Sequence, residues 1–501
     1  MHESAATTHS RVAIVGTGFA GIAAAVGLKR QGIHDVVLFE RAGDVGGTWQ
    51  ANTYPGCQCD VPSHLYSFSF APNPDWSRTY SLQPEIGRYI RKTAEDFDVI
   101  PHVRFETALR DARWDADAQR WVLETSAGVH TCDLLLMGNG PLSEPKLPDV
   151  KGLDSFEGTT FHSAHWNHDH DLTGERVAVI GTGASAIQFV PQIQPKVGEL
   201  VVFQRTAPWI LPHGDRPVRG WERALYRRIP LLQKANRYGI YWMRELAMLG
   251  FAGNPKIMGR LKAVGLRHMH KSVKDPVLRE KLTPDYTPGC KRLLPSNKWY
   301  PALAQDNVTV VADGIVEVTP KGVVTSDGTE HVVDTIVFGT GFHVTDNPAM
   351  GHVFGADGRS LAEHFQEGGM RQYKGTSMPG FPNLFFLAGA NTGIGHTSLV
   401  VMIEAQVRYV LDAIRHLDRT GAATVECRPE ALDRWNDKVQ RKLEGTVWNT
   451  GGCQSWYLDD HGRNPTLWPD FTWKFALETR SFDPDAYLVG AKAAVPVGAK
   501  S

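Results

Sequence analysis

The residues that most clearly suggest chemistry in this chain are three glycines near its start, Gly16, Gly18 and Gly21, spaced as G-x-G-x-x-G. Gly16 permits a tight turn, Gly18 lets the backbone approach a pyrophosphate, and Gly21 lets a helix pack closely on the preceding strand. The free N–H groups at the start of that helix then face the phosphates. Glu40, 24 positions after Gly16, stands where its carboxylate can accept a hydrogen bond from a ribose hydroxyl. Together they predict a dinucleotide site.

A second copy of this pattern follows at Gly181, Gly183 and Ala186. Alanine is an accepted third residue because that position needs only a small side chain. This second unit predicts another dinucleotide site.

The strands after the two glycine patterns end differently, in Phe39-Glu40-Arg41 and in Phe203-Gln204-Arg205. An arginine without the acid favours a 2′-phosphate, because a guanidinium can bind phosphate bidentately. The first site therefore suggests FAD or NAD and the second NADPH, although Arg205 could also be a solvated strand end.

Two dinucleotide sites in one chain indicate hydride transfer between two cofactors, which a single-cofactor dehydrogenase does not need. A flavin disulfide reductase also has two such folds, but it requires a C-x-x-x-x-C pair, and no two of the six cysteines have that spacing. A non-enzymatic FAD-binding sensor would leave the second pattern without a purpose.

The composition is that of an ordinary globular protein of 501 residues with 42% hydrophobic residues. With a net charge of −1, the protein has no overall electrostatic field that would attract nucleic acid. The cysteines lack metal-ligand pairing, so we predict no metal site and reduced thiols in a cytoplasmic enzyme. The polar N-terminus lacks the apolar core of a secretory signal peptide. No run of about 18 apolar residues is present, so no membrane span is expected. The most apolar stretch, 240–253, is expected to pack as a helix against its neighbours.

We call the two glycine patterns the first and second fingerprints. Besides them, the chain carries the pattern F-x-G-x-x-x-H-x-x-x-W at Phe156, Gly158, His162 and Trp166. It also contains a GGTW turn, a YPG…CD segment, a GCKR segment and a GANTGIGH turn. With these motifs, the chain resembles a type I (class B) Baeyer–Villiger flavin monooxygenase over nearly its whole length. Asn167 departs from the family, which usually has Pro or Asp there.

The resemblance implies an α/β fold with two Rossmann-like dinucleotide-binding domains, for FAD and NADPH, and a helical insertion in the second. We expect a first segment of the FAD domain at 1–142 and the NADPH domain at 143–342, with the insertion at about 220–282. A second FAD segment would span 343–490 and a tail 491–501.

The resemblance also implies the reaction. NADPH reduces FAD, O2 adds to give a C4a-peroxyflavin, and this attacks a small-molecule ketone to give an ester or lactone. Arg292 matches the family's active-site arginine, and Asp60 the acid that orients it. Lys291, Arg205 and Thr206 match the contacts of the 2′-phosphate.

The remaining predicted cofactor-binding residues line the two fingerprints and the loops that follow the first. They are Gly16, Gly18, Gly21, Glu40, Gly47, Thr48, Trp49, Asp60, Tyr66, Gly181, Gly183, Ala186 and Gly389. His162 is expected to act through loop conformation, Trp166 through packing, and the loop 451–457 as a wall of the substrate pocket.

A flavin monooxygenase that oxygenates nitrogen or sulfur shares these folds and cofactors and is the alternative function. The class of ketone and the oligomeric state stay open from the sequence.

Overall fold

The computed structural model describes residues 7–459 and 462–491, so the predicted tail lies outside the described residues except for its first position. In chain order, the strands there are β1 (Thr8–Val15), β2 (Val36–Phe39), β3 (Val103–Arg104), β4 (Leu109–Asp115), β5 (Arg120–Thr125), β6 (Gly128–Met137), β7 (Thr159–His162), β8 (Arg176–Ile180), β9 (Glu199–Phe203), β10 (Ile210–Leu211), β11 (Leu294–Pro295), β12 (Val308–Val311), β13 (Ile315–Thr319), β14 (Gly322–Thr325), β15 (Glu330–Val332), β16 (Thr335–Phe338), β17 (Val353–Phe354), β18 (Leu384–Phe386), β19 (Thr424–Cys427) and β20 (Tyr487–Gly490).

The same residues form fifteen α-helices. They are α1 (Phe19–Arg30), α2 (Thr48–Ala51), α3 (Gln83–Asp96), α4 (Ala186–Ile193), α5 (Gly220–Arg228), α6 (Pro230–Glu245), α7 (Met248–Phe251), α8 (Pro255–Ser272), α9 (Pro276–Lys281), α10 (Trp299–Leu303), α11 (Leu361–Gly368), α12 (Leu399–Thr420), α13 (Pro429–Leu443), α14 (Val447–Thr450) and α15 (Thr472–Glu478).

The first sheet has the strand order β17-β4-β5-β6-β1-β2-β3. Its β1 pairs in parallel with β2 and β6, and α1 packs its Ala-rich surface, buried at Ile22 through Val26, against this core. The first half of β6 pairs with β5, while its last residues pair in parallel with β18. The first sheet is therefore completed by a strand from far along the chain.

The second sheet is entirely parallel, with the order β12-β9-β8-β16-β7. Its three central strands β9, β8 and β16 are rich in Val, Ile and Phe and are buried almost throughout, as in other parallel sheets covered by helices. The fold is thus α/β with two dinucleotide-binding sheets, the first mixed and the second parallel, as the sequence predicted.

The chain passes between the two sheets at two neighbouring places. The backbone N–H of Lys146 donates to the carbonyl of Gly341, and that of His343 donates to the carbonyl of Glu144, each at 2.9 Å. These two crossings run side by side and antiparallel. The domain boundaries at 142 and 342 fall within them and stay our proposal.

Helices α5 to α9 form the insertion in the second unit. The prediction that 240–253 packs against its neighbours is wrong for part of this stretch, because Trp242 is 54% exposed, Met243 61% and Leu246 63%. Met248 and Phe251 are buried. In the part of the chain that the structure describes, no helix is long and apolar enough to cross a bilayer.

Candidate active site

The first glycine pattern joins β1 to α1. A Cβ built on Gly21 would lie 1.9 Å from the Gly16 carbonyl oxygen, and one on Gly16 would lie 2.8 Å from the Gly138 oxygen. Gly18 is the N-cap of α1 and supplies no side-chain cap. The first N–H groups of the helix are therefore left without a side-chain acceptor, as a pyrophosphate site requires.

Glu40 lies buried at the end of β2 and faces the same loop. Its Oε2 accepts hydrogen bonds from the backbone N–H of Thr17 at 3.0 Å and from the Thr17 hydroxyl at 2.6 Å, while Oε1 accepts from the N–H of Ala42 at 2.9 Å. A carboxylate has about four lone-pair positions, so this fixed group can still accept from a ribose hydroxyl.

The GGTW turn packs directly on the first fingerprint. A Cβ on Gly47 would lie 2.9 Å from the Cα of Gly18. Thr48 begins α2, and the ring N–H of Trp49 donates to the Tyr66 hydroxyl at 3.0 Å. Burial raises the pKa of Tyr66, so this phenol stays protonated. The structure brings these predicted residues together beside the first fingerprint.

The second glycine pattern repeats the geometry of the first. A Cβ on Gly181 would lie 2.4 Å from the Gly339 carbonyl oxygen, whereas Gly183 has no closer neighbour than 4.0 Å. Ala186, the first residue of α4, packs its methyl group against Gly339. The loop at Gly183 therefore leaves room for the pyrophosphate of a dinucleotide to approach its backbone.

Two positively charged side chains lie near the end of β9, beside this second loop. Arg205 is exposed, and Thr206 follows it. Burial and the charge of Arg205 both lower the pKa of Lys291, which places the two cations near each other. Gln204 supplies no negative charge there and donates from Nε2 to the Lys281 carbonyl at 2.8 Å. Asp285 also acts on Lys291, but more weakly than Arg205 does, so the two neighbouring cations fit a 2′-phosphate.

Arg292 and Asp60 form a bidentate ion pair. The Arg292 Nε and Nη2 donate to the two carboxylate oxygens of Asp60, each at 2.7 Å, and Nη1 is 3.5 Å from the Ile394 carbonyl oxygen. The negative charge of Asp60 raises the pKa of Arg292, overcoming the effect of burial. The guanidinium is therefore a fixed charge that keeps its protons.

Tyr457 lies close to this ion pair. Its side chain is 2% exposed, and burial raises its pKa to about 12 against an opposing effect of the Arg292 charge. The loop that carries Tyr457 thus borders the site, which supports its predicted role as a pocket wall.

Cys453 of this loop is bonded to Cys290, which immediately precedes Lys291 and Arg292. The prediction of six reduced thiols is therefore wrong for this pair, whose partners are 163 residues apart and could not be matched from spacing. Cys57, Cys59, Cys132 and Cys427 are free and buried.

The residues of the F-x-G-x-x-x-H-x-x-x-W pattern build the β7 edge of the second sheet. A Cβ on Gly158 would lie 2.2 Å from the Asp334 carbonyl oxygen and 2.6 Å from the Phe156 ring. Trp166 packs with its ring centroid 5.3 Å from that of Phe189 on α4. His162 is buried, and burial lowers its pKa to about 4, so it is neutral near pH 7. Gly158, Trp166 and His162 therefore make the contacts of residues that pack the structure.

Gly389 lies in the turn after β18, the strand that completes the first sheet. A Cβ there would lie 2.1 Å from the Gln372 side-chain oxygen and 2.4 Å from the Gly375 carbonyl oxygen. The glycine therefore lets the turn that ends at Ile394 pack tightly beside the site.

Gln188 on α4 was missed by sequence reasoning. Its Oε1 accepts from the Tyr54 hydroxyl at 3.0 Å and from the N–H of Gln58 at 3.1 Å, and its Nε2 donates to the Gln58 carbonyl at 2.9 Å. One amide thus links the YPG…CD segment to the second nucleotide unit. Nothing in its local sequence signals this contact.

These features fit the two expected cofactors. The first fingerprint has the close glycine contacts, uncapped helix start and nearby carboxylate that FAD requires, and the second has the open glycine loop and neighbouring cations that NADPH requires.

A family profile described as "Flavin-binding monooxygenase-like" matches residues 9–245. A Baeyer–Villiger monooxygenase of Streptomyces coelicolor is 52% identical over 98% of this chain and 95% of its own length. One of Pseudomonas aeruginosa is 50% identical over 96% of this chain and 92% of its own.

Solved structures agree with these sequence relatives. A closed crystal structure of cyclohexanone monooxygenase superposes with a TM-score of 0.86 at 29% identity, over 97% of this chain and 100% of that one. Oxidized steroid monooxygenase bound to NADP gives a TM-score of 0.83 at 32% identity with the same coverage.

Proposed function

The chain belongs to the Baeyer–Villiger monooxygenases of the flavin-binding monooxygenase-like family, and we propose that its Arg292–Asp60 ion pair is the catalytic centre. The enzyme uses FAD and NADPH to insert one oxygen atom from O2 beside a ketone carbonyl, giving an ester or lactone. The observation that carries the proposed role is the bidentate pair at 2.7 Å.

The residues that would hold FAD lie around the first fingerprint and the loops packed on it. They are Gly16, Gly18, Gly21, Glu40, Gly47, Thr48, Trp49, Asp60, Tyr66 and Gly389. When bound, FAD supplies a ring that accepts a hydride from NADPH and activates O2.

Gly181, Gly183 and Ala186 would hold the NADPH pyrophosphate at the start of α4. Arg205, Thr206 and Lys291 would hold the 2′-phosphate. Phosphate binding would relieve the repulsion between the two cations, which gives this site its preference for NADPH over NADH.

Arg292 would stabilise negative charge that develops on the reacting oxygen atoms. An ammonium could lose a proton to such an anion, whereas a guanidinium paired with a carboxylate does not. Asp60 fixes the orientation of the guanidinium, and the buried rings of Trp49 and Tyr457 help exclude water.

Phe156, Gly158, His162 and Trp166 would act through conformation. They pack the β7 edge, next to the crossing at Phe342, whose ring lies 5.8 Å from that of His162. A neutral buried imidazole at this position suits a role in coupling the two units.

We place the enzyme in the cytoplasm, which supplies the reduced nicotinamide that the reaction consumes.

Incubating purified enzyme with NADPH, isotopically labelled O2 and cyclic, aromatic, aliphatic and steroidal ketones tests the oxygen insertion. Products heavier by one labelled oxygen atom are expected. A thioether and a tertiary amine in parallel reactions test the alternative, and labelled sulfoxide or N-oxide without any ester would contradict the ketone assignment.

A further inference from the structure

Helix α6 presents a row of apolar side chains to solvent. Leu231, Ala235, Tyr238, Trp242 and Leu246 follow the spacing of one helical face and its extension beyond Glu245, and all five are exposed. Leu231 is 72% exposed, Trp242 54% and Leu246 63%. We call these five residues the apolar stripe.

The opposite face of α6 packs Ile240 and Tyr241 against the core, and its polar side chains hold the helix on the protein. Gln233 donates to the Asn73 carbonyl at 2.6 Å, and Arg237 donates to the His64 carbonyl at 2.7 Å. Arg244 donates to a tyrosine hydroxyl at 3.0 Å. Turning the helix to bury the apolar stripe would break these bonds, so its outward orientation is fixed by the polar contacts.

The insertion that contains α6 is strongly cationic. Residues 220–282 hold fourteen Lys and Arg against four Asp and Glu, a formal charge of +10 in a chain whose net charge is −1. Arg228 and Lys234, both exposed, border the apolar stripe. An exposed apolar face containing Trp and Tyr beside basic residues matches helices that lie in a membrane interface.

We propose that the apolar stripe docks this enzyme on an anionic lipid surface, with Arg228 and Lys234 contacting the headgroups. A second copy of the chain suits this face less well, because a two-fold contact would place the same cations against one another. The stripe would enter only the boundary between headgroups and acyl chains.

Sedimentation of FAD-loaded enzyme with phosphatidylcholine vesicles, with and without phosphatidylglycerol, tests the proposal. We expect binding to the anionic vesicles that weakens as salt is raised. Leu231→Gln with Leu246→Gln should weaken it at least about tenfold, and Arg228→Gln with Lys234→Gln by about tenfold.

The matched control is Val277→Gln with Leu477→Gln. These residues are 60% and 58% exposed but lie outside the stripe, so this variant should bind vesicles as the wild type does. All variants should keep wild-type activity on a water-soluble ketone, which shows that they are folded.

Three results would overturn the proposal. One is wild-type enzyme that binds no vesicle, and another is equal binding by the stripe variant. The third is light scattering that shows a wild-type dimer, lost in the stripe variant, without vesicle binding; a second copy would then cover the stripe.

Discussion

Arg292 and Asp60 are 232 positions apart in the chain, yet the guanidinium of one meets the carboxylate of the other through two parallel hydrogen bonds of 2.7 Å. The fold therefore holds a permanent cation in one orientation beside the turn at Ile394. The proposed chemistry depends on this pair.

Replacing the cation tests its role directly. We expect Arg292→Ala to lower the rate of ester formation by roughly 10²–10³-fold, because it removes the charge that stabilises the reacting oxygens. Reduction of FAD by NADPH should stay within about threefold, since hydride transfer does not need that charge. Stopped-flow absorbance measures reduction, and gas chromatography measures ester.

The control is a second pair, Arg78 and Asp215, with the same 2.7 Å contact and the same 36% exposure of the arginine side chain. Arg78→Ala should keep normal ester formation per reduced FAD. Ester formation at the wild-type rate in Arg292→Ala would refute the role of Arg292.

Asp60 sets a pH dependence of stability. Burial alone would raise its pKa, but the charge and hydrogen bonds of Arg292 lower it below its ordinary value of 3.8. Because the folded-state pKa is the lower one, the pair stabilises the protein above the ordinary value, and this contribution falls as pH drops below 3.8. We expect Asp60→Asn to cost about 1–3 kcal/mol of unfolding free energy at neutral pH.

Urea unfolding across a pH series checks this expectation. The difference between wild type and Asp60→Asn should be constant from about pH 8 to pH 5 and shrink only in more acid solution. Asp44→Asn, which removes a more exposed ion pair with Arg91, should cost less than about 1 kcal/mol. A difference that changes near neutral pH would contradict the pKa direction.

Coenzyme choice should depend on Arg205. We expect Arg205→Ala to raise the KM for NADPH by about 10–100-fold and to change that for NADH by less than about threefold, because only NADPH carries the 2′-phosphate. Arg41 occupies the matching position after the first fingerprint and pairs with Glu144, so Arg41→Ala should leave the NADPH/NADH ratio unchanged. Equal KM changes for both coenzymes in Arg205→Ala would exclude the assignment.

The Cys290–Cys453 bond should stabilise the oxidised enzyme, since it joins residues 163 positions apart. We expect Cys453→Ser to reduce stability by about 2–4 kcal/mol, seen as a lower midpoint of thermal unfolding. Dithiothreitol should lower the wild-type midpoint to the same value and leave the variant unchanged. A wild-type midpoint that does not respond to dithiothreitol would argue against the bond.

The two nucleotide units were predictable because their signals are local. Gly16, Gly18 and Gly21 lie within one strand-turn-helix unit, so their spacing alone fixes what they can contact. The arginine and acid of the site were found only by resemblance to a family, since Arg292 alone reads as a solvated charge.

Contacts between distant segments left no such signal. Gln188 lies in an ordinary helix, and its bonds to Tyr54 and Gln58 depend on how two units meet. The orientation of α6 also depends on tertiary partners, because its polar face finds acceptors in the first unit and overrides the usual placement of apolar residues inside.

The late strand β18, which pairs with the end of β6 at Leu135 to Met137, has a consequence for biosynthesis. A ribosome must finish nearly four-fifths of the chain before Leu384 emerges and that sheet can close. The second unit, whose strands are contiguous between Thr159 and Phe338, can fold earlier. The sheet that carries the first fingerprint is therefore completed only at a late stage of synthesis.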